Sequence, residues 1–82
     1  MLLFRKHIME SILESPEKFS IEHFIHESLH RKYKSSTLKI KRFLQLFESD
    51  LNFQLRQKQT PDMQRNLIEA YRVIKEISIE AA

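Results

Sequence analysis

Eighty-two residues with 14 Lys/Arg, 11 Asp/Glu, two Pro, no Gly and no Cys describe one small domain, residues 1–82. The missing glycines exclude a fold built on hairpins and tight sheet turns, and the missing cysteines exclude disulfide and thiolate chemistry. The net charge of +3 is unevenly placed: no carboxylate lies between Glu27 and Glu48, while Arg31, Lys32, Lys34, Lys39, Lys41 and Arg42 crowd that interval.

The apolar spacing predicts an all-α bundle of about four helices. Helix one runs from Leu2 to Glu14, with Phe4, Ile8 and Ile12 on one line and Met9 and Leu13 widening it; Ser15-Pro16 closes it. Ser20 then offers an N-cap. Phe19 before it would meet Phe24, a hydrophobic staple that sets the angle of the next helix. Helix two, about Ile21 to Tyr33, buries Ile21, Phe24, Ile25 and Leu29.

A short polar joint leads into the stretch around which the chain is read. Residues 36–58 contain neither Pro nor Gly, with Ser36 or Thr37 as N-cap. Ile40, Phe43, Leu44, Phe47, Leu51 and Leu55 fall within about 120° of arc, one helix face, and the helix spans roughly 30 Å. Nothing else in the chain looks long enough to be the axis of the fold. Thr60 as N-cap, Pro61 at the first helical position and Asp62 in the first turn open a fourth helix, about 61–80. It turns Met63, Leu67, Tyr71, Ile74 and Ile77 inward. So short a connection between the two longest helices, about 36–58 and 61–80, predicts an antiparallel hairpin.

Three features could carry function. His26-Glu27-Ser28-Leu29-His30 matches H-E-x-x-H, which places two zinc ligands and a general base on one helix face, and His23 lies three residues upstream. Its surroundings oppose catalysis: the only other histidine is His7, and a glycine-free chain this short offers no obvious substrate groove. His23, His26 and His30 are therefore read as a solvated polar face, with weak metal binding as the alternative. No Ser/His/Asp set, phosphate loop or paired carboxylates stand out, so neither enzyme activity nor a cofactor is expected.

The basic joint suggests a helix-turn-helix with Lys39, Lys41 and Arg42 on phosphates. Against it, the recognition helix would be over twenty residues long, and its first turn offers no Asn or Gln for base edges. Leu46 and Phe53, seven residues apart, project from the far side of the long helix, among Lys39, Arg42 and Ser49. Either helix one or two covers that stripe, or a partner helix or a second copy of the chain docks on it. Arg31, Lys39, Arg42, Leu46, Ser49 and Phe53 are the candidate partner-binding residues.

Taken whole, with stretches such as FSIEHFIHESLHRKY and TLKIKRFLQLFESDLNFQL, the chain resembles the cytoplasmic antiholins, or lysis-inhibition accessory proteins, of T-even bacteriophages. The resemblance covers the full length but has no diagnostic motif. It implies a protein of the host cytoplasm that binds the cytoplasmic N-terminal segment of the phage holin, hinders its assembly into a membrane hole, and so delays lysis. Contact with the membrane would be indirect, through that partner. Neither a signal-peptide core nor an apolar run of about 18 residues is present, so the chain is expected to stay where it is made.

Overall fold

The computed structural model describes residues 2–81, with side chains described from Leu3 to Glu80. Met1 and Ala82, the ends of the expected 1–82 domain, lie outside the described residues. Four helices follow one another: α1 (Leu2–Leu13), α2 (Ile21–Tyr33), α3 (Thr37–Leu55) and α4 (Pro61–Ala81), with no strand among the described residues. The fold is all-α, as the composition requires.

The start signals act through real hydrogen bonds. The Ser20 hydroxyl accepts from the His23 N–H at 3.2 Å, and the Thr60 hydroxyl accepts from the Met63 N–H at 3.2 Å, so α2 and α4 each satisfy an otherwise orphaned donor. Phe19 and Phe24 meet with ring centroids 5.3 Å apart. Ser36 is the N-cap of α3 by backbone shape alone, since its hydroxyl makes no capping bond. The end signals are less regular. α3 stops at Leu55 rather than continuing to residue 58, because Arg56 and Gln57 donate to Phe53 and Gln54, three residues back. The last turn tightens and cannot propagate. The Gln59 side-chain amide then covers the Gln54 carbonyl at 2.8 Å. At the end of α2 the chain turns through Lys34 with φ 55° and ψ −119°, a mirror-extended conformation natural to glycine and costly for a residue with a Cβ.

The expectation that the third helix alone is long enough to organise the fold is corrected. α4 has 21 residues and α3 has 19, and α4 packs against all three other helices. Its inner face is wider than the expected Met63–Leu67–Tyr71–Ile74–Ile77 line. Leu67, Ala70, Val73, Ile74 and Ile77 are buried, whereas Met63 and Tyr71 are only partly so. A helix with neighbours on three sides needs a broad apolar arc, and Ala70 and Val73 supply the missing half. Against it α3 turns Phe43, Leu44, Phe47 and Leu51, α2 turns Ile21, Ile25 and Leu29, and α1 turns Ile8, Met9 and Ile12. Each large aliphatic or aromatic side chain so buried contributes about 1.5–3 kcal/mol. Packing of α3 on α4 across a five-residue connection, with Lys75 Nζ 3.1 Å from Glu48 Oε2, is consistent with an antiparallel pair.

One buried polar side chain fixes how the first loop sits on α4. Asn66 Nδ2 donates to the Ser15 carbonyl at 3.1 Å, while the Ser15 hydroxyl donates to the Ser11 carbonyl at 2.7 Å. On the rim of the α2–α4 seam, Arg72 reaches Glu22, Glu69 and Glu76. Its hydrogen bond holds the Glu69 carboxyl below its ordinary value, but solvent screens exposed pairs of this kind and they add little to stability.

Two stability measurements follow. Asn66→Ala strands the Ser15 carbonyl and should lower unfolding free energy by about 1–3 kcal/mol, read by urea or thermal denaturation, with exposed Gln64→Ala near zero as control. Lys34→Gly should raise it by about 1 kcal/mol by relieving the turn, while Lys34→Ala, which keeps the Cβ, should give no such gain.

Candidate functional site

The site is built from α1 and α3, which lie side by side on α4. At one end Phe4 packs on Phe43 with ring centroids 5.4 Å apart. Tyr33, at the end of α2, meets Phe4 edge-on at 5.7 Å and Phe43 at 6.0 Å, and Phe43 stacks on Phe47 at 5.1 Å. This aromatic knot ties three helices together and anchors the start of α3. Midway along, Arg5 makes a two-pronged ion pair with Asp50, Nε to Oδ2 and Nη2 to Oδ1, both 2.9 Å. The two side chains are only 23% and 29% exposed. Asp50 holds the Arg5 guanidinium above its already high ordinary value, chiefly through the hydrogen bonds, so Arg5 keeps its charge.

Outside this seam the helices leave two adjacent depressions, both lined by Arg5. The first, about 400 Å³, has Tyr33, Phe43 and Leu46 as its floor and Lys32, Lys39, Arg42 and Arg5 around it. Arg5 is neutralised by Asp50, whereas Lys32, Lys39 and Arg42 have no ion-pair partner among the described residues. Lys32 lays its ammonium over the Phe4 ring at 5.4 Å, a cation–π contact that leaves its charge uncompensated. The second, about 680 Å³, is lined by Met9, Leu13 and Phe53 with Ser49 and Gln54, and its charges balance: Arg5 and Lys6 against Asp50 and Glu10.

Five of the six candidate partner-binding residues thus come together on one face. Lys39, Arg42 and Leu46 line the first depression, and Ser49 and Phe53 line the second. The reading in which helix one or two covers the stripe is corrected: Leu46 is 44% and Phe53 59% exposed. α1 meets α3 through Phe4 on Phe43 and Arg5 on Asp50, and leaves both side chains open to solvent. Arg31 lies outside the face, paired instead with Glu27 one turn back on α2. Sequence reading missed Arg5, Lys32 and Tyr33. For Lys32 a signal existed: it follows buried Leu29 by three positions and precedes Tyr33, so it sits on the flank of the inward face, whereas Arg31 points a further 100° away.

The histidines do not converge. His23, His26 and His30 are exposed, His23 Nε2 lies 3.0 Å from Glu27 Oε2, and among the described residues no three His, Cys, Asp or Glu side chains are grouped to hold a metal ion. The glutamate that a metallopeptidase would use as its base is held by His23 and Arg31. No described helix is long and apolar enough to cross a membrane.

If Arg5–Asp50 holds α1 in register on α3, Arg5→Ala and Asp50→Ala should each destabilise. A double-mutant cycle measured by urea unfolding should return a coupling of about 1 kcal/mol. Compared with known proteins, the chain matches no protein-family model, no curated protein and no solved structure.

Proposed function

We propose that this protein is a non-enzymatic inhibitory binding protein, a cytoplasmic antiholin of the kind the sequence resembles. It would act in the host cytoplasm, bind the cytoplasmic N-terminal segment of the phage holin through the α1–α3 face, and delay lysis by competing with holin self-association. Its contact with the inner membrane would come through that partner. The observation that carries this reading is the pair of uncovered side chains Leu46 and Phe53 beside three unpaired cations. An inhibitor of assembly needs a complementary surface and enough affinity to compete, and no reacting groups. Apolar contacts supply affinity, and charges around them steer the encounter and select the partner.

A second reading rests on two of these cations, Lys39 and Arg42, together with Lys41. Lys39, Lys41 and Arg42 are exposed on the first turns of α3, so segment 31–42 could serve a small nucleic-acid-binding regulator. The two make opposite demands on Leu46, which a phosphate-binding surface does not need.

The experiment is a pull-down of the holin's cytoplasmic segment by the folded protein. Retention is expected, with Leu46→Asp and Arg42→Glu each weakening it about tenfold or more. Absence of retention by the folded wild type removes the antiholin reading. Retention of DNA or RNA at low salt, lost as salt rises and indifferent to Leu46→Asp, would establish the nucleic-acid reading in its place.

A further inference from the structure

Leu46 and Phe53 stand seven positions apart on α3, a separation of about 10.5 Å along the helix axis. Each lines its own depression, and the two depressions share Arg5 as their common wall. Spacing of two helical turns is what an apolar pair at positions i and i+7 of another helix reproduces. The described residues contain no strand, so this face offers no sheet edge to which an extended peptide could add. The charge is as informative as the spacing. The Leu46 end carries Lys32, Lys39 and Arg42 without carboxylates, whereas at the Phe53 end Lys6 is offset by Glu10 and Arg5 by Asp50.

Resting on the reading of this face as the partner-binding surface, we infer that its occupant is an amphipathic helix with two apolar anchors seven residues apart. Carboxylates cluster around only one of them, and that acidic end lies over Leu46. The charge difference between the two depressions therefore fixes the direction in which the partner helix lies along α3. Fit of the apolar pair without the acidic cluster would leave three cations facing apolar surface, each losing water without gaining a partner. A second copy of this chain does not meet the description. Among the exposed large apolar side chains of the described residues, only Leu46 and Phe53 themselves are seven apart, and a second α3 would bring more cations, not carboxylates.

The test uses the full chain, labelled for NMR, and a designed 18-residue helical peptide carrying two leucines seven positions apart, with three glutamates around the first. Shifts are expected at both Leu46 and Phe53. A spin label at the glutamate end should broaden Leu46 more strongly than Phe53. The double variant Lys39→Glu/Arg42→Glu should bind this peptide about tenfold more weakly, and binding should recover when the glutamates are replaced by lysines. A peptide that leaves both residues unshifted at millimolar concentration overturns the inference, as does equal binding of the glutamate and lysine peptides by the wild type, or a spin label that broadens both residues alike. Shifts produced only by anionic phosphatidylglycerol vesicles, by a DNA duplex, or by self-association abolished in Leu46→Asp also overturn it. The two readings fail separately. If the holin segment is retained while the designed peptide does not bind, the partner chemistry is wrong and the antiholin reading stands. If the peptide binds as described while the holin segment is not retained, the chemistry stands and that partner is wrong.

Discussion

Everything in this fold depends on one helix finding apolar neighbours on three sides. α4 buries Leu67, Ala70, Val73, Ile74 and Ile77, and a chain of this length has no second layer with which to compensate if that face is lost. The rim ion pairs cannot substitute: each is worth a fraction of what one buried Ile or Phe contributes. With α4 at the centre, α1 and α3 are forced side by side against it. Two cylinders about 10 Å across that touch a third leave a furrow between their outer surfaces. The candidate site is that furrow. It is a by-product of how the core closes: the edges of core residues Phe43 and Met9 line it beside side chains that the core did not need.

Polar contacts then decide the detail. Asn66 seats the first loop on α4 through the Ser15 carbonyl, and Arg5–Asp50 sets how far α1 slides along α3. Both contribute little net energy relative to the core, but each is unsatisfied in any other register, and that penalty is what specifies geometry. Arg5 has a second consequence. By neutralising Arg5, Asp50 divides the furrow into a cationic half and a balanced half. An unpaired arginine at the shared wall would have made the whole face basic.

The turn at Lys34 connects this electrostatics to the backbone. A residue with a Cβ is held at φ 55° in a chain without glycine, and the turn delivers the end of α2, with Tyr33 and Lys32, to the start of α3. Tyr33 completes the aromatic knot with Phe4 and Phe43, and Lys32 becomes the third unpaired cation of the rim. Local strain of this kind persists when the surrounding packing over-determines it, and here three aromatic rings do so.

Helix number, order and approximate bounds were legible in the sequence, because they follow from local rules: apolar spacing at 3.6 residues, hydroxyl caps at Ser20 and Thr60, and proline at the breaks. The exposed stripe on α3 was legible too, since Leu46 and Phe53 depart from the inward face by more than 90° wherever that face is buried. Which helix is central was not legible. Ala70 and Asn66 carry little hydrophobic signal, and their burial is decided by how many neighbours α4 acquires. The phase of α2 already separates Lys32 from Arg31, but the sequence could not say that Lys32 shares a rim with Arg5, twenty-seven residues away. That depends on the docking of α1. Residue types and local geometry belong to the sequence. Which charges remain unpaired, and around which apolar floor, is settled only when packing brings distant segments together and Asp50 takes one cation out of the set.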